Sequence, residues 1–338
     1  MLPISLARRP GLPSILSSTL TLLARAPAVV GENVGMLASE FSADCRSFPV
    51  STACLRAARK TRVYGMAAAY RDLARQSAYR HFIAAHASSD RFFFLSRRSY
   101  LATGLTPLQR LQAALTHYRY DSETFDDEYL TRVYGESGLV LWHRQVADVD
   151  YEIRLVSLVD VPNEGALNIA FTIGGQCACV ISYSIVHTGL IWSGAEGDRA
   201  APIPFVTRKH TLGGRAHQAE FNKAFDRATP AHLCFGALAG VSLAQGHSRV
   251  VGIAPEKQPA YAHGLRSNFL ATYEDFWNTL SARRISPYGF LIDLPVRMTP
   301  IESLEPSRRK RALARRAHIE DVRQSAEAAI AAHTKQGH

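Results

Sequence analysis

The sequence predicts an α+β fold: an antiparallel-to-mixed sheet, a meander plus one crossover strand, flanked by helices. Three observations predict it. From Leu139 onward, apolar residues recur at every second position, the period of a half-buried strand. Between Thr106 and Tyr118 they recur at helical spacing instead. A third stretch, Thr229 to Gln245, is an apolar helix set between β-like segments, the pattern of a crossover.

Taken in order, the stretch 66–86 is rich in Ala, Arg and Tyr and reads as helical. The next helix opens at Thr106, a good N-cap, with Pro107 at the first helical position and Gln109 completing a capping box. Leu108, Leu111, Leu115 and Tyr118 form its expected apolar stripe, and His117 is expected near its end. Tyr151, Ile153 and Leu155 then alternate with polar residues, as do Leu167, Ile169, Phe171 and Ile173. Gly174-Gly175 is a two-residue hairpin signal. Cys177 to Ile185 continues the alternation, and Leu190 to Trp192 reads as a further strand, giving a meander of about four strands. Residues 198–228 are polar and are expected as a long loop or short helices. The crossover helix starts at Thr229-Pro230 and stops at Gly246; Gly236 and Gly240 share a face and permit another element to approach closely. Arg249 to Ala254 and Phe290 to Leu294 read as strands, and a helix runs from about Pro306 to Ala332.

The chain of 338 residues carries a formal charge of +10, unevenly spread. Residues 1–65 hold +5 and residues 304–338 hold +4, leaving +1 for the body between. The expected organisation is therefore a basic, disordered extension over 1–65, an α+β domain over 66–303 and a basic C-terminal helix over 304–338, packed on the domain or extending from it. Met36 and Met66 offer alternative starts within the extension. A nearly neutral body argues against the folded core as a nucleic-acid surface. No run of eighteen apolar residues exists, so no membrane-spanning helix is expected. The five cysteines, Cys45, Cys54, Cys177, Cys179 and Cys234, show no zinc spacing; buried free thiols in a reducing, cytoplasmic setting are the expectation, with no metal.

No P-loop, G-x-S-x-G, H-E-x-x-H or dinucleotide fingerprint is present. The acid/base candidates are Glu196, between two glycines at a strand end, Tyr183 in mid-strand, and His117, for which packing at a helix end is the stronger alternative. Ser182, Tyr273, Asp275 and Trp277 are candidates for lining a ligand, although aromatic clusters more often pack against a sheet. Glu164 reads as a solvated turn acid. Arg308, Arg309, Lys310, Arg311, Arg315 and Arg316 cover much of the last helix. They form a solvated face or contact an anionic surface, either nucleic acid or the inner membrane.

In their order, the segments Arg98-Ser-Tyr-Leu101, Leu115-Thr-His-Tyr118, Tyr151-Glu-Ile-Arg-Leu155, Glu164-Gly-Ala-Leu-Asn168, Ile181-Ser-Tyr-Ser184, Glu196-Gly197, Leu233 to Ala244 with Val250-Val-Gly-Ile253, Tyr273-Glu-Asp-Phe-Trp277 and Arg308 to Arg316 resemble the bacterial VirK/YbjX family. The resemblance implies an accessory factor linked to virulence, envelope or stress responses, including DNA damage, working with an unidentified protein partner. It implies no catalytic residues and no resident cofactor. A second expectation rests on fold analogy: a meander followed by a crossover helix and strand resembles the GNAT acyltransferases, whose donor is an acyl thioester such as acyl-CoA. A third is nucleic-acid binding through the basic helix.

Overall fold

The structure is a computed structural model. It describes residues 72–85, 100–157, 164–192, 199–212, 218–262 and 269–335, with short pieces between 41 and 57. The chain divides into two compact units, Met1–Arg71 and Asp72–His338. The sheet and the site belong to the second. Most of the expected extension, and Glu196, lie outside the described residues.

Helices α1 (Ser77–Ala85), α2 (Pro107–Thr124) and α3 (Asp127–Tyr134) lead into strands β1 (Leu139–Val146), β2 (Val149–Val156), β3 (Leu167–Ile173) and β4 (Gln176–His187). A helical turn α4 (Thr188–Ile191) leads to β5 (Pro202–Thr211), α5 (Gln218–Ala224), α6 (Pro230–Ala244) and β6 (Arg249–Ile253). A π-helical turn (Leu270–Glu274), α7 (Asp275–Thr279), β7 (Arg283–Arg284), β8 (Gly289–Asp293) and the long α8 (Pro306–Ala331) complete the chain. The strands form one mixed sheet in the order β1-β2-β3-β4-β5-β6-β8-β7. Only β5 and β6 run parallel, joined through α6 as the crossover expected.

Local chemistry explains most of the elements. Thr106 caps α2, its hydroxyl accepting from the Gln109 N–H at 3.2 Å while Gln109 Oε1 accepts from the Thr106 N–H at 2.8 Å. Gly174 and Gly175 take φ of 54° and 77°, the double left-handed turn that matches strand twist and that glycine adopts without strain.

The structure corrects the sequence expectations in four places. First, α2 continues to Thr124, so His117 lies mid-helix and fully buried rather than near an end. Its buried face runs through Leu111, Ala114, His117, Tyr118 and Asp121, which leaves Leu108 46% exposed. Second, Leu190 and Ile191 close a helical turn instead of adding a strand. Third, the polar stretch after residue 198 contains β5, whose Ile203, Phe205, Val206 and Thr207 are all buried. Pro202 and Pro204 are tolerated because β6 pairs only with Phe205 and Val206, so a missing N–H on that side breaks no ladder. Fourth, the bulge at Ala178 interrupts the alternation of β4, leaving Cys177 exposed and Cys179 buried.

Helix α6 is buried over eleven of its fifteen residues, which requires cover on more than its sheet-facing side. That cover is α8. A methyl group on Gly236 would meet Ile319 at 3.1 Å, and one on Gly240 would lie 2.1 Å from the Arg323 carbonyl oxygen. The two glycines thus let the helices approach backbone to backbone. Trp142 Nε1 donates to Asp321 at 2.8 Å and Ser325 donates to the Leu141 carbonyl at 2.8 Å, fastening α8 to β1 as well.

Candidate anion-binding cavity

Where α8 lies across the first turns of α6, the two helices part around a cavity of about 500 Å³. Four segments wall it: residues 227–239, 278–281, 295–304 and 312–323. Five arginines line it, Arg227, Arg297, Arg315, Arg316 and Arg323, against one carboxylate, Glu320. Arg323 is neutralised, held by Glu320 at 2.6 Å and by Glu327. Arg316 donates to the Thr299 carbonyl. Arg315 has no hydrogen-bond partner among the described residues. Its charge is felt instead at His232, whose imidazole is held below its usual range by burial, then Lys209, then Arg315.

Helix α6 presents its N-terminus at the same cavity. Thr229 caps it, accepting from the His232 N–H at 3.3 Å, and Pro230 follows at the first helical position. The His232 ring bridges two hydroxyls, Nδ1 to Thr229 at 2.7 Å and Nε2 to Thr279 at 3.0 Å. Thr279 already donates to the Phe276 carbonyl at 2.6 Å, which assigns the ring proton to Nε2. The positive end of the helix dipole and the arginines therefore add in one place, which favours an anion. Backbone strain gathers here too. Arg227 (φ 60°) and Ser281 (φ 56°) line the cavity in left-handed conformation, and Asp226 (φ 49°) adjoins it.

Of the sequence candidates, Arg315 and Arg316 reach the cavity. Arg308 pairs with Glu305 at 3.1 Å on the exposed surface. Arg309 donates to the Leu304 and Glu302 carbonyls at 3.0 and 2.8 Å, pinning the segment that brings Leu304 to the wall. Lys310 and Arg311 are exposed.

The other candidates lie elsewhere. His117 and Tyr183 meet in a fully buried cluster around Asp121. There Tyr134 Oη donates to Asp121 Oδ2 at 2.6 Å and lies 3.2 Å from His117 Nε2, while His117 Nδ1 accepts the Ile185 N–H at 3.3 Å. Burial alone drives His117 down to about 3. Burial also drives Asp121 up to about 7, against the Tyr134 hydrogen bond. Ser182 is buried and donates to Asn168 at 2.6 Å. Tyr273 stacks on Phe269 and its hydroxyl accepts the Lys209 N–H at 3.4 Å. Trp277 packs over Gly252 and donates to the Ile253 carbonyl at 2.9 Å; Asp275 is exposed.

Three features escaped the sequence reading. Glu164 is 3% exposed, gripped by Arg208 at 3.1 Å to both oxygens and by Gln258 at 3.4 Å, so it is not a solvated turn acid. Cys179 and Cys234 are buried free thiols, as expected, but their contact was not foreseen: the Cys234 thiol donates to the Cys179 carbonyl at 3.9 Å. His232, Arg227 and Arg297 carry no motif that marks them. Among the described residues no group of His, Cys, Asp and Glu could hold a metal ion, and no helix is long and apolar enough to cross a membrane.

No curated protein and no solved structure matches the chain. A family model does match residues 57–192, from before α1 to just past α4, so α6 and α8, which wall the cavity, lie beyond that span: the matched segment is similar to the family described as a protein of unknown function, DUF535, the name under which VirK/YbjX is known.

Proposed function

We propose that the protein is a VirK/YbjX-type bacterial accessory factor that binds a phosphate-bearing small molecule in the cavity between α6 and α8. The observation that carries the ligand is the charge of the wall: five arginines, of which only Arg323 is paired with the wall's one carboxylate, together with a helix N-terminus. A partly enclosed site weakens the dielectric screening of those charges, and the arginine fork matches phosphate oxygens. The VirK/YbjX assignment is supported by the DUF535 match and by the order of the segments beyond it. The proposed setting is the cytoplasm, in virulence, envelope or stress response, with no resident cofactor. The exposed cations of α8, Arg308, Lys310 and Arg311, are the proposed contact for a protein partner or an anionic surface.

A second reading is acyl transfer from an acyl thioester. Its support is the run of antiparallel strands followed by the parallel β5–α6–β6 crossover, with the cavity at the crossover helix N-terminus. Acyl-CoA also bears phosphates, so both readings use the same arginines. Tyr183, the acid candidate, is buried away from the cavity lining, which leaves this reading without a placed acid.

The test is thermal stabilisation of the full chain at low salt by inorganic phosphate, acetyl-CoA, a DNA duplex and anionic vesicles. A ligand at one hundred times its Kd stabilises by about 2.7 kcal/mol. We expect phosphate and acetyl-CoA to raise the Tm, and Arg315→Gln with Arg316→Gln to abolish the shift, each shift read against the Tm of the same free protein. Stabilisation by DNA alone, lost in salt, would move the function to the exposed face of α8. An unchanged shift in the double variant removes the cavity from consideration.

A further inference from the structure

We infer that the cavity takes an alkyl or acyl phosphate, its phosphate against Arg315 and Arg316 and its aliphatic chain along the apolar side chains of the lining. This rests on the anion-binding reading of the same cavity and narrows it to a ligand class.

Size gives the first reason. The cavity measures about 500 Å³. One water occupies about 30 Å³ of liquid, and a phosphate group is only a few times larger. Phosphate alone would leave most of the space to water, although part of the wall is apolar. That wall gives the second reason. Leu280, Val296, Met298, Leu304 and Ile319 come from three of the four segments and all line the cavity. A lining that interleaves arginines with aliphatic side chains matches a ligand that carries both an anion and an aliphatic chain.

Nucleotides share the phosphate but not the rest. A base is held by an exposed aromatic face or by fixed hydrogen-bonding groups at its edge. Phe235, the one phenyl ring in the lining, is 2% exposed and already set edge-on to Phe276 and Trp277. Asn278 is the one amide side chain in the lining. The other aromatic ring of the lining, His232, is half-buried and held by both nitrogens between Thr229 and Thr279, whereas a methylene chain meets five aliphatic side chains. Met298, 45% exposed, adds a flexible apolar side chain to the lining.

The experiment is calorimetric titration of the full chain with inorganic phosphate, hexyl phosphate and AMP, the last two matched in charge. We expect hexyl phosphate to bind at least about tenfold more tightly than inorganic phosphate, the gain from burying roughly two methylene groups. Met298→Gln with Leu304→Gln should remove that gain and leave inorganic phosphate binding unchanged. Vesicles containing phosphatidic acid, against phosphatidylcholine alone, then identify the source. Binding to the former supports a bilayer lipid; hexyl phosphate binding without vesicle binding supports a soluble acyl phosphate. Phosphate binding with no gain from the chain, or AMP binding tighter than hexyl phosphate, overturns the inference and leaves the anion reading standing. No binding of any phosphate overturns both.

Discussion

At the residue scale, the buried cluster around Asp121 makes stability depend on pH in a direction that can be worked out. Asp121 titrates at about 7 in the folded protein, against 3.8 when exposed, because burial disfavours its charge. Between those values the folded state holds a proton that the unfolded state has released, so stability falls as pH rises through the window. His117 acts with the opposite sign. Burial depresses it to about 3 from 6.5, so the unfolded state binds the extra proton and stability falls as pH drops below the unfolded value. Above the histidine's unfolded value only Asp121 contributes. Replacing Asp121 with Asn keeps an acceptor for Tyr134 and removes the titration. We expect the Tm of Asp121→Asn, relative to the natural chain, to climb from about pH 5 to pH 7 and to level off above it. A constant difference across that range would mean that Asp121 is ionised throughout. No sequence signal could have placed this cluster, because it depends on α2 running six residues past Tyr118, to Thr124.

At the element scale, the contact of α6 with α8 joins two walls of the cavity and carries Arg315, Arg316 and Arg323 to it. An alanine methyl at Gly240 would sit 2.1 Å from the Arg323 carbonyl oxygen, which is backbone and cannot swing aside. We expect Gly240→Ala to cost about 1–3 kcal/mol as the helices separate, read as a lower denaturant midpoint. The same substitution at Gly246, whose added methyl would meet nothing within 4 Å, tests backbone conformation alone because its φ is 77°. This part of the fold was legible in advance. Two small residues four apart on an apolar helix announced a close neighbour, and Thr-Pro announced the starts of both α2 and α6. Strand β5 was not legible. Its prolines and its Arg-Lys-His run read as loop, and only burial between β4 and β6 makes it a strand.

At the scale of the whole molecule, the cavity shows why a binding site can be hidden from sequence. Its lining comes from four segments up to about ninety-six residues apart, each unremarkable alone; only Arg315 and Arg316 stood out, as part of a charged run. The Glu164–Arg208–Gln258 cluster is hidden for the same reason, since it joins the start of β3, the far half of β5 and the turn after β6. Its side chains are 4% and 12% exposed for Glu164 and Arg208, and burial still raises the Glu164 carboxyl against the pull of the guanidinium. Removing one partner of such a pair strands the other charge in a poor solvent, at about 3–5 kcal/mol, whereas removing both can be nearly neutral. The expected order of stability is therefore the natural chain, then the double variant Glu164→Gln with Arg208→Met, then Arg208→Met alone. Chemical denaturation of the three gives the order directly. If the double variant were as unstable as Arg208→Met, the cost would lie in lost packing of the arginine stem, and the tie between β3 and β5 would be steric instead of electrostatic.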